Sequence, residues 1–74
     1  MTQQEAVDLI RQLLKAQDEA ELMQLVSLNL PVVDGTFFGT AEALVRQLER
    51  EGKMGAATAL RSLSDRMLRM KTLI

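Results

Sequence analysis

Residues 34–52 read Asp-Gly-Thr-Phe-Phe-Gly-Thr-Ala-Glu-Ala-Leu-Val-Arg-Gln-Leu-Glu-Arg-Glu-Gly, a helix written with both of its ends. Asp34 has the short carboxylate that accepts from the free amides of a first helical turn. Phe37, Phe38, Ala41, Leu44, Val45 and Leu48 then recur at helical spacing and cover about a third of the circumference at roughly 100° per residue. Glu42 precedes Arg46 by one turn on the other side, the favourable order for a helical ion pair. Gly52 is the stop, because glycine enters the left-handed position after a helix without a steric penalty. The stretch therefore predicts an amphipathic helix over 35–51. Gly35 and Gly39 lower its propensity, and mark either a close backbone approach or a fraying first turn.

Upstream, Thr2-Gln3-Gln4-Glu5 is a capping-box pattern, in which a hydroxyl and a carboxylate three residues apart satisfy each other's backbone amides. It opens a helix over 3–16 with Ala6, Val7, Ile10, Leu13 and Leu14 on one face. Asp18-Glu19-Ala20-Glu21 repeats the pattern and opens a helix over 19–29. There Leu22, Met23, Leu25, Val26, Leu28 and Leu30 nearly encircle the axis, the signature of a centrally buried helix. Pro31 ends it by lacking an amide and by pushing its predecessor out of helical space, leaving Val32 and Val33 as a short extended connector.

Downstream, a fourth helix is expected over 53–72. Ala56, Leu60, Leu63, Met67, Met70 and Ile74 share a face, broadened by Ala57 and Leu68, opposite Arg61, Asp65, Arg66 and Arg69. That apolar arc covers about half the helix, wider than one neighbour covers. Short connections make sequential helices antiparallel neighbours. The expected fold is all-α: one domain over 1–74, a small bundle of four helices as two antiparallel hairpins joined by an elbow at 30–34.

Composition excludes more than it specifies. The chain has no histidine, cysteine, tryptophan or tyrosine among its 74 residues. So short a chain sits near the lower size limit for independent folding, and neither a disulfide nor a conventional zinc site can staple it. Hydrophobic residues at 47% suffice for a core, and aromatics at 3% make that core aliphatic and methionine-filled. The net charge of −1 hides an asymmetry. Residues 1–40 carry two basic against six acidic groups (−4), and residues 41–74 carry seven against four (+3). Internal pairing, head-to-tail contact between copies, or two solvated faces would each account for it.

No catalytic, cofactor or metal site is expected. Nucleophilic catalysis by Ser62 or Ser64 would need a base, and histidine is missing. The acidic clusters stand at helix starts, where they cap amides and oppose the helix dipole. A di-metal bundle would need Glu-x-x-His pairs, Asp34-Gly35 alone makes no calcium loop, and no glycine-rich phosphate loop occurs. The opening Met-Thr-Gln-Gln-Glu has neither the basic start nor the apolar run of a secretory leader. No apolar run approaches the length of a membrane span. The expected location is the cytoplasm.

Residues 44–60, Leu-Val-Arg-Gln-Leu-Glu-Arg-Glu-Gly-Lys-Met-Gly-Ala-Ala-Thr-Ala-Leu, resemble the turn region of a tetratricopeptide repeat, with Gly52 and Ala57 at that repeat's glycine-to-alanine spacing. The likeness covers one repeat; the first-helix aromatic and the following proline of the repeat are absent. The longer stretch from Leu14 through Asp34 to Gly52 is similar to helical segments beside tetratricopeptide arrays and caspase-like CHAT protease domains in multidomain bacterial proteins. That resemblance implies a scaffold or recruitment module without catalytic activity.

The expected function is therefore non-enzymatic protein–protein interaction through the last helix and part of the second. Met54, Leu60, Leu63, Met67 and Met70 would supply adaptable apolar area, and Arg61, Arg66 and Arg69 a polar rim. The expected partner is protein: a second copy in a homodimer first, a hetero-complex next. Met67→Asp should then abolish association and leave far-UV helicity intact. The alternative is a small nucleic-acid-binding regulator using Arg61, Arg66, Arg69 and Lys71. Against it stand the negative net charge and the ordinary place of arginine near a helix C-terminus. Membrane-surface binding by the last helix is disfavoured by its lack of aromatic anchors.

Overall fold

A computed structural model describes residues 1–72. Those residues form four helices: α1 (Gln3–Lys15), α2 (Glu19–Asn29), α3 (Gly35–Arg50) and α4 (Met54–Thr72), with a single 3₁₀ turn over Leu30–Val32 between α2 and α3. The fold is an all-α bundle, as the periodicity predicts. Among the described residues, no helix is long and apolar enough to cross a membrane.

The starts of α1, α2 and α3 are fixed by the residues that the sequence nominates. Thr2 Oγ1 accepts from the Glu5 amide at 3.1 Å while Glu5 Oε1 accepts from the Thr2 amide at 2.9 Å, a complete capping box. Hydrogen bonding to Thr2, its amide first and its side chain second, holds the Glu5 carboxyl below its ordinary range. Asp18 Oδ1 accepts from the Glu21 amide at 2.8 Å, but Glu21 reaches the Gln17 amide at 3.3 Å, one residue outside a regular box. Asp34 Oδ1 accepts from the amides of Thr36 and Phe37 at 3.1 and 3.4 Å. Its Oδ2 meets the Met1 ammonium at 2.7 Å. The ammonium first, and the helix amides after it, hold the Asp34 carboxyl below its ordinary range.

The stop of α3 is a Schellman turn. Gly52 has φ +78°, its amide donates to the Glu49 carbonyl at 3.1 Å, and the Lys53 amide donates to the Leu48 carbonyl at 2.8 Å. This reverses the chain in three residues and lays α4 antiparallel to α3, so that Arg61 meets Glu49 near the turn and Leu68 shares a groove with Phe38.

The core lies between α1, α3 and α4. Ala6, Leu9, Ile10 and Leu13 face Phe37, Ala41 and Val45, and Ala57, Leu60, Leu63 and Met67 close the third side. Three expectations are corrected here. Leu9 is buried and Leu14 is exposed, because the buried seam of α1, which packs mainly on α3, runs Ala6, Leu9, Ile10 and Leu13 at i, i+3, i+4 and i+7. The helix expected to be central, α2, buries only Val26 among its own residues, and Leu28 is 71% exposed. With three helices already enclosing the core, α2 lies along its edge. Pro31 does not yield an extended Val32. Its fixed φ suits a tightened first turn, so Leu30–Val32 close a 3₁₀ turn, Val32 is exposed, and Val33 alone is extended and buried. Ile74, placed on the α4 face by periodicity, lies outside the described residues.

Polar contacts from α4 hold this edge. Arg66 Nη2 lies 2.8 Å from Glu19 Oε1 in the first turn of α2. Lys71 Nζ donates to the carbonyls of Val33 at 2.5 Å and Leu30 at 3.4 Å, capping the elbow.

Candidate protein-interaction surface

The residues expected to form a contact face on α4 do not stay together at the surface. Leu60 and Met67 are fully buried and Leu63 nearly so, since the middle of the wide apolar arc is the third wall of the core. They are corrected from interface to core. Met70 is half-buried and packs against the same core. Met54 remains exposed at the start of α4, and Arg69 is exposed near its end. Arg66 is engaged with Glu19 and also lies 3.3 Å from Met23 Sδ. Arg61 pairs with Glu49 at 3.4 Å.

Arg61 is the member of that set that lines a concave surface. Residues of α3 and α4 alone enclose an open groove of about 440 Å³. Its apolar part is Phe38, Val45 and Leu68. Val45 is buried, Phe38 is half-buried, and Leu68 is 48% exposed. The two consecutive phenylalanines divide between the core and its margin. Phe37 takes the core, and Phe38 leans on it edge-to-face, with ring centres 5.5 Å apart and planes at 86°. Ser64 also lines the groove; its Oγ is buried and makes no hydrogen bond.

The charges of the groove fall in an order set by the antiparallel pair. From the Phe38 end, α3 presents Phe38, Glu42, Arg46 and Glu49, and α4 presents Leu68, Asp65 and Arg61. The groove thus begins at Phe38 and Leu68, carries Glu42 and Asp65 next and then Arg46, and ends where Arg61 meets Glu49. Along α3 the acid and base are joined, Arg46 Nη2 to Glu42 Oε1 at 2.8 Å. Among the described residues Asp65 makes no ion pair within the chain.

Sequence reasoning placed Phe38 and Val45 on the core stripe and Leu68 on the margin of the α4 arc. The signal that separates them is the width of each stripe. Where an apolar arc exceeds what one neighbour covers, its outermost members are left on the surface.

No protein-family model, curated protein or solved structure matches the chain.

Proposed function

We propose that the chain is a non-enzymatic, self-associating protein-interaction module of the scaffold or recruitment kind, acting in the cytoplasm through the groove between α3 and α4. The observation that carries this reading is the exposure of Leu68 beside half-buried Phe38, over a buried Ser64 hydroxyl without a partner. An orphaned buried hydroxyl costs about 1–3 kcal/mol, and apolar side chains around it gain by losing contact with water. A docked helix relieves the apolar exposure of Leu68 and Phe38. Arg61 and Arg66 already face carboxylates, which leaves less of the α4 charge for a phosphate backbone.

The test is light scattering coupled to size-exclusion chromatography over a concentration series, with helicity followed in parallel. More than one chain per particle at the upper concentrations is expected, with helicity unchanged. A folded monomer throughout would remove self-association. Retention on heparin that falls steeply with salt would move the function to nucleic-acid binding.

A further inference from the structure

We infer that Met23 is an oxidation site, and that its sulfoxide loosens α2 from the bundle. The chain has no cysteine and five methionines, so thioethers are its only sulfur groups open to a peroxide. The structure sorts them by access. Met67 is fully buried, the Met1 side chain is almost as well covered, and Met70 packs half-buried against the core. Met54 is exposed at the start of α4, away from the core cluster. Met23 stands between these classes. Its side chain packs against the core, while its sulfur makes a solvent-exposed contact 3.3 Å from Arg66 Nη2. The same nitrogen lies 2.8 Å from Glu19 Oε1, one helical turn before Met23. One guanidinium nitrogen thus holds two residues of α2, a helix that fully buries only Val26.

The reaction is a two-electron oxidation of sulfur by a hydroperoxide. The sulfur attacks one peroxide oxygen, and the S–O bond forms as the O–O bond breaks. The second oxygen leaves as water or an alcohol, taking the proton that the first one carried. A thioether is a weak acceptor, whereas the sulfoxide is polar and its oxygen needs a donor. That oxygen cannot enter between the sulfur and Nη2. A hydrogen bond alone takes about 2.9 Å, which leaves no room for an S–O bond within 3.3 Å. If the guanidinium draws back, the sulfoxide and the Glu19 carboxylate compete for it. If the oxygen turns the other way, it is set against apolar side chains. Both weaken the hold on α2, whose release costs less than global unfolding.

The test is hydrogen peroxide treatment of the full chain, followed by peptide mass mapping and amide exchange. In a Met54→Leu chain, which lacks the exposed thioether, Met23 should be the first residue to gain oxygen. The chain oxidised there should exchange the amides of Glu19–Asn29 at least about fivefold faster than the reduced chain, with α3 unchanged within about twofold. Methionine sulfoxide reductases of both epimer specificities, with a dithiol as reductant, should restore slow exchange, the oxygen leaving as water. Adding Met23→Leu should abolish the response at the same peroxide dose. Met23→Gln, polar without any oxidant, should reproduce the fast exchange. Oxygen on Met67 or Met70 ahead of Met23 would overturn the site. Undisturbed α2 exchange in a chain fully converted at Met23 would overturn the consequence, and so would equal acceleration in every helix.

Discussion

Arg66 and Glu19, 47 residues apart in sequence, lie 2.8 Å from each other and join the middle of α4 to the first turn of α2. Because α2 buries so little, this contact and the Lys71 cap are its principal polar ties to the bundle. Both side chains of the ion pair are largely in water, at 43% and 65% exposure, which limits what the pair contributes.

Arg66→Ala should accordingly lower global stability by less than about 1 kcal/mol, and by less still in high salt. Urea unfolding measures that loss. Amide exchange should accelerate in α2 far more than in α3 or α4, because release of α2 costs less than global unfolding. Uniform acceleration throughout the bundle would show α2 to be integral to the core.

Phe37 and Met67 are both fully buried. Truncation to alanine should cost about 3–5 kcal/mol at Phe37 and about 2–5 kcal/mol at Met67, against a total that for domains of this size is on the order of 4–11 kcal/mol. Met67→Asp should abolish far-UV helicity as well as association. Retained helicity in that variant would place Met67 outside the core.

Two glycines should respond to alanine with opposite signs. Gly52 stands at φ +78°, where an added Cβ is strained, so Gly52→Ala should destabilise by about 1–2 kcal/mol. Gly39 lies within α3, and no atom stands within 4 Å of where its Cβ would be. The close backbone approach that was one reading of Gly35 and Gly39 is therefore absent at both. Gly39→Ala should gain about 0.5–1 kcal/mol, read as a rise in Tm.

The acid limb of the stability curve should report the two capped helix starts. The Glu5 and Asp34 carboxyls both titrate below their ordinary values, so folding favours their ionised forms. Their contribution is complete above the unfolded carboxylate range, near pH 4, and fades as pH falls through the lower folded values. Helicity should hold from neutral pH to about pH 4 and decline below it. In Asp34→Asn the decline should be shallower, and an unchanged slope would remove Asp34 from the explanation.

The helix ends were the most legible part of this chain. Thr2, Asp18 and Asp34 each cap the helix they precede, and Gly52 takes the left-handed position, because capping is local chemistry between residues two to five apart. What periodicity could not settle was the use of apolar surface beyond one helix face. Leu28 and Val26 look alike within a helix apolar all round, yet one is in water and the other in the core. That choice depends on how many neighbours reach α2. The contact face suffered likewise: Met67 and Leu68 are adjacent in one arc, and the packing of α1 and α3 sends one inwards and leaves the other in the groove.

The Schellman turn at Gly52 also has a kinetic consequence. The helices it joins are adjacent in sequence, so their contacts close with little loop entropy. The hairpin is thus expected to assemble ahead of the α1–α3 contacts, which must close the longer loop that contains α2. A chain slowed at that one reversal would fold late at every later step, however well its core finally packs.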